Sequence, residues 1–407
     1  MKYILVIGDG MADNALAALG NKTPLECAEK PCMDALARAG LLGSVCNVPG
    51  GYPPGSDTAI MSIFGCAPEK YYSGRAPLEA AAQGIVLHPG DAAFRCNNIT
   101  LSDEENFLDK HIVSHSGGVE STEGRMLVEW LFSEPEFAAM AEEAGVSLAP
   151  TDSYRHIMVK RDAHIDGIRL APPHDHLGDT VRSVAPEGAP DAAVLLKLME
   201  KANALLDKHP YNLECRKAGK KPANAVWFWA EGTAVALPSF EEAYGRKGAV
   251  ISAVPLCHGI AALCGLDMVT VPGATGELDT NYAGKVEATL SALRKYDFAA
   301  VHIEAPDECS HAKDVPAKLE AICRLDSLVI SPIVEAMRAK GEDFRMLILS
   351  DHKTLLDSGA HDGTPVPFIL YDSRMDTAAG LDYNEPNGEK GPFVPAGTAL
   401  MTMLFGA

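Results

Sequence analysis

The chain has 407 residues, of which 47% are hydrophobic and 22% charged, as is typical of a globular protein with one large and one smaller domain. Its formal net charge of -20 argues against nucleic acid or an anionic membrane as partner, because those surfaces bind basic patches. No apolar stretch approaches the length of a membrane span. Ten scattered cysteines without a C-x-x-C pair, and no export signal, predict reduced thiols and a cytoplasmic location.

The N-terminal sequence KYILVIGDG predicts a buried parallel strand that runs into a loop carrying Asp9. After a helix and a second strand, the Gly/Pro-rich stretch NVPGGYPP leads into GSDTAIMS, where we expect another helix to begin. Two interpretations of Ser56 in that stretch are open. Ser56 is either part of a helix cap or a nucleophilic hydroxyl at a helix N-terminus, where negative charge is favoured.

The pattern changes between about residue 93 and about residue 184. AAFRCNNITL, RHIMVKRDA and IDGIRLA predict strands of an antiparallel sheet on which a helix packs. We therefore predict a smaller inserted α+β domain over 93–184, within a core domain formed by 1–92 and 185–407.

The second half of the chain alternates strand and helix signals. NAVWFWAEG, GAVISAVPL, DFAAVHIEA and FRMLILSDH predict strands, and helical patterns of ten residues or more lie between most of them. This alternation indicates an α/β fold with a mostly parallel sheet and helices on both faces.

Carboxylates and imidazoles follow predicted strands, at the edge where parallel sheets assemble their sites: Asp9 after one, Asp307 and His311 after another, and Asp351, His352 and His361 after a third. Any one of them alone is typical of a cap or of a hydrogen-bonded core group. Together they would destabilise one another unless cations compensated the charge. The mixture of ligands suits Mn²⁺ or Zn²⁺ better than Ca²⁺, and it suffices for the two ions used in phosphoryl transfer. A divalent ion beside Ser56 would lower the pKa of its hydroxyl and make it a nucleophile.

The motifs GDGMAD, PPGSDTA, EAPDECSH and SDH with a later histidine resemble the metal-dependent alkaline phosphatase superfamily. The whole chain is similar to the archaeal-type branch of cofactor-independent (2,3-bisphosphoglycerate-independent) phosphoglycerate mutases, also through SGRAPLEAAAQGI and VPGATGELDTNYAGK. The resemblance implies one metal held by Asp307, His311 and His361, and a second held by Asp9, Ser56, Asp351 and His352. It also implies that Ser56 is the phosphorylated nucleophile. Mn²⁺ or Zn²⁺ is the expected metal, with Mg²⁺ or Co²⁺ as alternatives.

The resemblance implies an isomerase of glycolysis that moves a phosphoryl group from 3-phosphoglycerate to Ser56 and back to the 2-hydroxyl. The inserted domain would close as a cap over this small phosphorylated substrate and exclude water. The anionic groups of the substrate require basic residues, and the candidates are Arg75, Arg95, Arg155 and Lys247. We expect a monomer, because no apolar stripe is left over once the core is assigned.

Two other reactions are open as alternatives. The archaeal enzymes are expected to carry an arginine in the cap where SHSGGVESTEG has Gly118, and DSYRHIMV and PPHDHLG look more like a bacterial subgroup proposed to act as an alternative homoserine kinase. A homoserine kinase-like phosphotransferase or a phosphomonoesterase could use the same metal ions. A P-loop kinase is not supported, because GATGELDT lacks the P-loop lysine.

Overall fold

The computed structural model describes residues 1–119, 121–375 and 380–406, and of Ser121 the backbone only. The strands, in chain order, are β1 (Lys2–Gly8), β2 (Leu41–Val45), β3 (Ala92–Leu101), β4 (Ile112–Ser114), β5 (Val146–Ala149), β6 (Arg155–Lys160), β7 (Ala225–Thr233), β8 (Gly248–Ile251), β9 (Asp267–Val269), β10 (Phe298–Ile303), β11 (Phe344–Leu349), β12 (Lys353–Thr354), β13 (His361–Asp362), β14 (Val366–Asp372) and β15 (Phe393–Val394).

The α-helices, in chain order, are α1 (Pro24–Cys27), α2 (Pro31–Ala39), α3 (Ser56–Ile63), α4 (Pro68–Tyr71), α5 (Ala76–Ala82), α6 (Ser121–Ser133), α7 (Pro135–Glu143), α8 (Pro190–Leu206), α9 (Pro210–Lys217), α10 (Phe240–Tyr244), α11 (Pro255–Leu263), α12 (Tyr282–Lys295), α13 (Ala305–His311), α14 (Val315–Arg324), α15 (Ser331–Ala339), α16 (Glu385–Gly388) and α17 (Leu400–Phe405). Within the described ranges, no helix combines the length and the apolar composition that crossing a membrane requires.

The chain divides into two compact units, Met1–Tyr72 with Ala236–Ala407, and Ser73–Val235. The first unit is built on an eight-stranded sheet in the order β15-β2-β14-β11-β1-β10-β8-β9. Its pairs are parallel except for β14, which runs antiparallel to β11 and β2. Every residue of β10 is buried, so both faces at the centre are covered. The predicted mostly parallel α/β sheet is confirmed.

Strand β1 lies between β10 and β11 and runs parallel to both. Ile7 is opposite His302 of β10 and opposite Leu349 of β11, so the three strands end side by side. The residues that follow these strands therefore reach the same edge of the sheet, as the predicted site requires.

The second unit has an antiparallel sheet in the order β4-β3-β6-β5, and β7 also pairs with β3. All ten residues of β3 are buried. Its core includes the side chains of Phe94, Leu131, Leu198, Trp227 and Phe228. Helix α8 packs on β7 and α7 packs on β5, which gives the unit its α+β character.

The second unit extends beyond the predicted insert, 93–184, on both sides. NAVWFWAEG forms β7, which we predicted as a core-domain strand, but it pairs with β3. On the N-terminal side, α5 packs against β3, β6 and β7. IDGIRLA does not form the predicted strand: it makes a single bridge from Arg169 to Glu187, because Gly167, with φ of 77°, breaks the extended conformation.

Candidate metal centre and nucleophile

The sheet edge brings the predicted carboxylates together. Asp9 follows β1, Asp351 follows β11, and Asp307 lies in the first turn of α13, the helix after β10. All three are buried, with 1%, 1% and 5% of their surfaces exposed. Three buried carboxylates at one edge create a concentration of negative charge that the protein interior disfavours.

One cluster consists of Asp307, His311 and His361. The i, i+4 spacing on α13 sets His311 Nε2 3.0 Å from Asp307 Oδ2. His361 lies in β13, which pairs antiparallel with β12. Its Nε2 is 3.0 Å from His311 Nε2 and 3.4 Å from Asp307 Oδ1. The hydrogen bond with the Asp307 carboxylate raises the pKa of His311 to about 9.

A second cluster consists of Asp9, His352 and, again, Asp307, whose ligand atoms lie within 4.8 Å of one another. Asp351 Oδ2 is 3.2 Å from His352 Nε2. Asp307 thus takes part in both clusters, whereas the resemblance implied a role in the first alone.

The Ser56 hydroxyl lies inside this second cluster. Its Oγ is 3.2 Å from His352 Nε2 and 3.4 Å from Asp9 Oδ2. Helix α3 begins at Ser56, and Gly55 occupies the N-cap position without a side-chain cap. Ser56 therefore does not cap the helix, and of the two interpretations the structure favours the hydroxyl directed at the polar cluster.

The buried acceptor atoms of the site lack enough donors. Asp9 Oδ1 and Asp351 Oδ2 are buried without a hydrogen-bond partner among the described residues. Burial, and then the negative charges of Asp351 and Asp307, raise the pKa of Asp9. Coordination of a divalent cation would satisfy these oxygens and offset the repulsion. The set of carboxylate and imidazole ligands therefore fits a metal site.

Three further polar residues touch the site and were not predicted. His302 Nε2 is 2.9 Å from Asp9 Oδ2. The Thr354 hydroxyl donates to Asp307 Oδ1 and lies 3.2 Å from His352 Nδ1. Asn47 Nδ2 donates to the carbonyl oxygen of Asp351 at 2.9 Å. His302 could have been noticed as a lone polar side chain in an otherwise apolar strand pattern.

The second unit brings three of the four predicted substrate-binding residues together around Glu79. Arg95 Nε donates to Glu79 Oε2 at 2.8 Å, and Arg75 Nε donates to Glu79 Oε1 at 3.1 Å. Although burial acts to raise it, the hydrogen bond from Arg95 and the charges of Arg95, Arg75 and Arg155 lower the pKa of Glu79 to about 2. Arg95 and Arg75 thus both donate to Glu79, and the charge of Arg155 acts on the same carboxylate.

Arg155 is held mainly by aromatic rings. Its guanidinium carbon lies 5.4 Å from the ring centre of Tyr154 and 5.8 Å from that of Trp229, and its Nε is buried without a hydrogen-bond partner in the described chain. The His174 ring meets Trp229 edge-on at 5.1 Å. The Nε–H of Arg155 can therefore donate a hydrogen bond to a ligand, next to the rings of Tyr154, Trp229 and His174.

The fourth candidate, Lys247, belongs to the first unit. Its side chain is 64% exposed and its Nζ lies 3.4 Å from Glu241 Oε2, as in an ordinary surface ion pair. Gly118 has φ of 61°, so an arginine at this position would adopt its backbone conformation only with strain.

Comparison with known proteins identifies the family. The family model described as 2,3-bisphosphoglycerate-independent phosphoglycerate mutase matches residues 37–212. The protein of that name from Methanothrix thermoacetophila is 42% identical over 393 residues, which cover 97% of this chain and 96% of that protein. This chain belongs to the family of 2,3-bisphosphoglycerate-independent phosphoglycerate mutases. The predicted resemblance to this family is confirmed.

Two solved structures share the fold of this chain, and one of them is a phosphoglycerate mutase. A Pyrococcus horikoshii protein is 29% identical and aligns with a TM-score of 0.81, covering 100% of this chain and 98% of that one. The cofactor-independent phosphoglycerate mutase from Thermoplasma acidophilum is 25% identical and aligns with a TM-score of 0.66, covering 100% and 99%. The likeness thus extends over both units of the chain.

Proposed function

We propose that this protein interconverts 3-phosphoglycerate and 2-phosphoglycerate without 2,3-bisphosphoglycerate, by way of a phosphoserine at Ser56. Membership of the mutase family over almost the whole chain supports the substrate. The observation that carries the mechanism is the position of Ser56 Oγ, 3.2 Å from His352 and 3.4 Å from Asp9, among carboxylates with unpartnered oxygens. A structural serine would not require such surroundings.

The residues proposed to hold two divalent cations are those assigned from the family motifs: Asp307, His311 and His361 for one, and Asp9, Ser56, Asp351 and His352 for the other. Mn²⁺ or Zn²⁺ suits this mixture of oxygen and imidazole ligands. When bound, the cations would lower the pKa of the Ser56 hydroxyl and offset the charge of the phosphoryl oxygens.

The chain's own residues would then carry out the transfer. Ser56 Oγ forms a bond to phosphorus while the bond from phosphorus to the C3 oxygen of the substrate breaks. Asp9 Oδ2 takes up the proton that the Ser56 hydroxyl loses and returns it to the departing C3 oxygen, so that the transfer needs no other proton donor. The backbone N–H groups at the start of α3 favour the phosphoryl charge on Ser56. Attack by the 2-hydroxyl of glycerate reverses these steps and yields 2-phosphoglycerate.

The second unit is proposed to bind the substrate carboxylate through Arg155, with Arg75 and Arg95. The support is the unpartnered Arg155 Nε, beside arginines that already bind the carboxylate of Glu79. Guanidinium groups bind carboxylates through paired hydrogen bonds, for which an exposed lysine such as Lys247 is less suited. Retention of glycerate by such a site would favour return of the phosphoryl group over its loss to water.

We further propose that the protein acts in the cytoplasm as a monomer. The ten cysteines are free thiols, which supports a reducing compartment. Light scattering on the purified protein would test the monomer, and a mass of twice the chain's 43.2 kDa or more would contradict it.

The test of the proposed reaction is conversion of 3-phosphoglycerate by Mn²⁺-loaded protein with no added 2,3-bisphosphoglycerate, followed by ³¹P NMR. We expect 2-phosphoglycerate to appear and Ser56→Ala to abolish its formation. A parallel reaction with ATP and homoserine separates the main alternative. Phosphohomoserine without any isomerisation would overturn the mutase proposal, and rapid release of inorganic phosphate alone would indicate a phosphatase.

A further inference from the structure

We propose that His302 is a positioning residue that orients the Asp9 carboxylate, through a buried chain of hydrogen bonds from Ser252 to His302 to Asp9. His302 is not among the ligands assigned from the family motifs. It lies in β10 with 2% of its surface exposed. Its Nε2 is 2.9 Å from Asp9 Oδ2 and its Nδ1 is 3.1 Å from Ser252 Oγ.

The hydrogen bonds favour one tautomer of His302. Ser252 Oγ accepts a hydrogen bond from the backbone N–H of Val254 at 3.0 Å, and its hydroxyl can donate to His302 Nδ1. With Nδ1 as acceptor, the neutral ring carries its hydrogen on Nε2 and donates it to Asp9. The Asp9 carboxylate, which can only accept, requires this tautomer, and Ser252 supports it by donating to Nδ1.

The hydrogen bond from His302 gives the two carboxylate oxygens of Asp9 different roles. Oδ2 accepts from His302 and lies 3.4 Å from Ser56 Oγ. Oδ1 is buried without a hydrogen-bond partner in the described residues and lies 3.6 Å from His352 Nε2. Holding Oδ2 therefore directs Oδ1 into the second cluster, as groups behind metal ligands commonly do.

The support behind His302 is rigid. Its main chain is paired with Ile7 in the centre of the sheet. Lys285, which is fully buried, donates from Nζ to the carbonyl oxygen of His302 at 3.2 Å. A ring fixed at its backbone and at both nitrogens can restrain Asp9 without neutralising the negative charge that a cation requires.

The inference rests on the proposed function only in taking Asp9 as a cation ligand, so its test measures Mn²⁺ binding. Isothermal titration with Mn²⁺ alone is compared for the wild-type protein, His302→Met and His302→Gln. We expect His302→Met to weaken one Mn²⁺ site about 10- to 100-fold and to leave the other within about twofold. Gln offers an amide N–H to Asp9 and should recover most of the affinity.

Tyr383→Phe is the matched control, because it also removes a buried hydrogen bond of the first unit, from the Tyr383 hydroxyl to the carbonyl oxygen of Pro367 at 2.9 Å. We expect it to leave both Mn²⁺ affinities unchanged. Unchanged affinity in His302→Met, equal weakening of both sites, or a Gln variant no better than Met would overturn the proposal.

A second pair of variants tests the chain if His302→Met does not fold. Ser252→Ala removes the hydroxyl that donates to His302 Nδ1, whereas Ser252→Thr keeps it. We expect about a threefold to tenfold loss of affinity at one site for Ala and less than a twofold loss for Thr. Equal affinities for the two variants would contradict the inference. If the wild-type protein bound two Mn²⁺ ions but did not isomerise phosphoglycerate, the proposed function would be wrong. The inference about His302 would not be affected.

Discussion

The two units concentrate charge of opposite sign. In the first unit, Asp9, Asp307 and Asp351 meet at one sheet edge, and oxygens of Asp9 and Asp351 lack hydrogen-bond partners in the described chain. In the second unit, arginines surround Glu79, and Arg155 Nε has no partner among described groups. Each cluster holds buried polar atoms that have no hydrogen-bond partner among the described residues. The difference indicates ligands of opposite sign, cations for the first unit and an anion for the second.

The two clusters also differ in how their side chains are held. The carboxylates follow parallel strands, and hydrogen bonds from Thr354 and His302 hold Asp307 and Asp9. Arg95 and Arg155 also lie against aromatic rings, with Arg95 at 4.7 Å and Arg155 at 5.8 Å from the centre of Trp229. A rigid polar shell suits the strict geometry of metal ligands. Stacking permits small shifts of a guanidinium group, as binding of an organic anion requires.

The largest effect is expected for Asp307→Asn, because Asp307 takes part in both acidic clusters. Loss of this carboxylate should remove several kcal/mol of transition-state stabilisation, so kcat/KM should fall by about 10³-fold or more. Mn²⁺ titration of the same variant should show the site of His311 and His361 lost and the other site weakened to a smaller extent, because a neighbouring negative charge is removed. Unchanged affinity at both sites would contradict the assignment of Asp307 as a ligand.

Glu79→Gln tests the positive charge of the arginine cluster around Glu79 by its effect on the stability of the fold. The folded-state pKa of Glu79 is lowered to about 2, so its contribution is present above the unfolded-state pKa of 4.5 and is lost as pH falls towards 2. We expect the free energy of unfolding in urea to drop by about 3 kcal/mol at pH 7, and by less than half of that at pH 3.

Glu129→Gln is the control for that experiment, because Glu129 forms an exposed i, i+4 pair with Arg125. It should change the free energy of unfolding by less than about 0.5 kcal/mol. Equal effects of the two variants would mean that the arginine cluster does not depend on Glu79.

Arg155→Ala tests whether the excess positive charge binds substrate. Loss of a charged hydrogen bond to a carboxylate is worth about 2 kcal/mol, so kcat/KM should fall about 30-fold, mainly through a higher KM. Arg155→Lys should recover little, since an ammonium group cannot reproduce the paired geometry or the stacking on Trp229. Wild-type kinetics for Arg155→Ala would remove this residue from the substrate site.

The smallest effect is expected for Thr354→Val, which keeps the shape of the side chain and removes the hydroxyl that donates to Asp307. We expect about a tenfold loss of kcat/KM, at the low end for residues behind metal ligands. Thr100→Val is the control, because its buried hydroxyl donates to the carbonyl oxygen of Pro222 in the second unit. If both variants lost the same activity, the role assigned to Thr354 would be wrong.

Residues that directly follow apolar strands could be predicted as a site from the sequence. Asp9, Asp307 and Asp351 were found in this way, because the strands before them are buried and parallel. His302 was not predicted, because its only signal in the sequence is a single polar residue within an apolar strand. Its hydrogen-bond partner Asp9 is 293 residues away. Spacing along the chain does not reveal that pairing.

The boundary of the second unit could not be predicted for a related reason. The apolar pattern of NAVWFWAEG predicts a buried strand correctly, but it is the same whether the strand joins a parallel or an antiparallel sheet. The strand belongs to the second unit because Trp227 pairs with Asn97, which lies 130 residues earlier in the chain. A strand pattern indicates burial and leaves the partner open.

Everything proposed about catalysis depends on transfer of the phosphoryl group to one hydroxyl in the first unit. The most direct test is to mix Mn²⁺-loaded protein with 3-phosphoglycerate, quench it in acid within the first turnovers, and locate phosphate by peptide mass spectrometry. We predict phosphate on Ser56 in the wild-type protein and unmodified peptide in Ser56→Ala. Isomerisation by Ser56→Ala, or wild-type turnover with phosphate on another residue, would contradict the account.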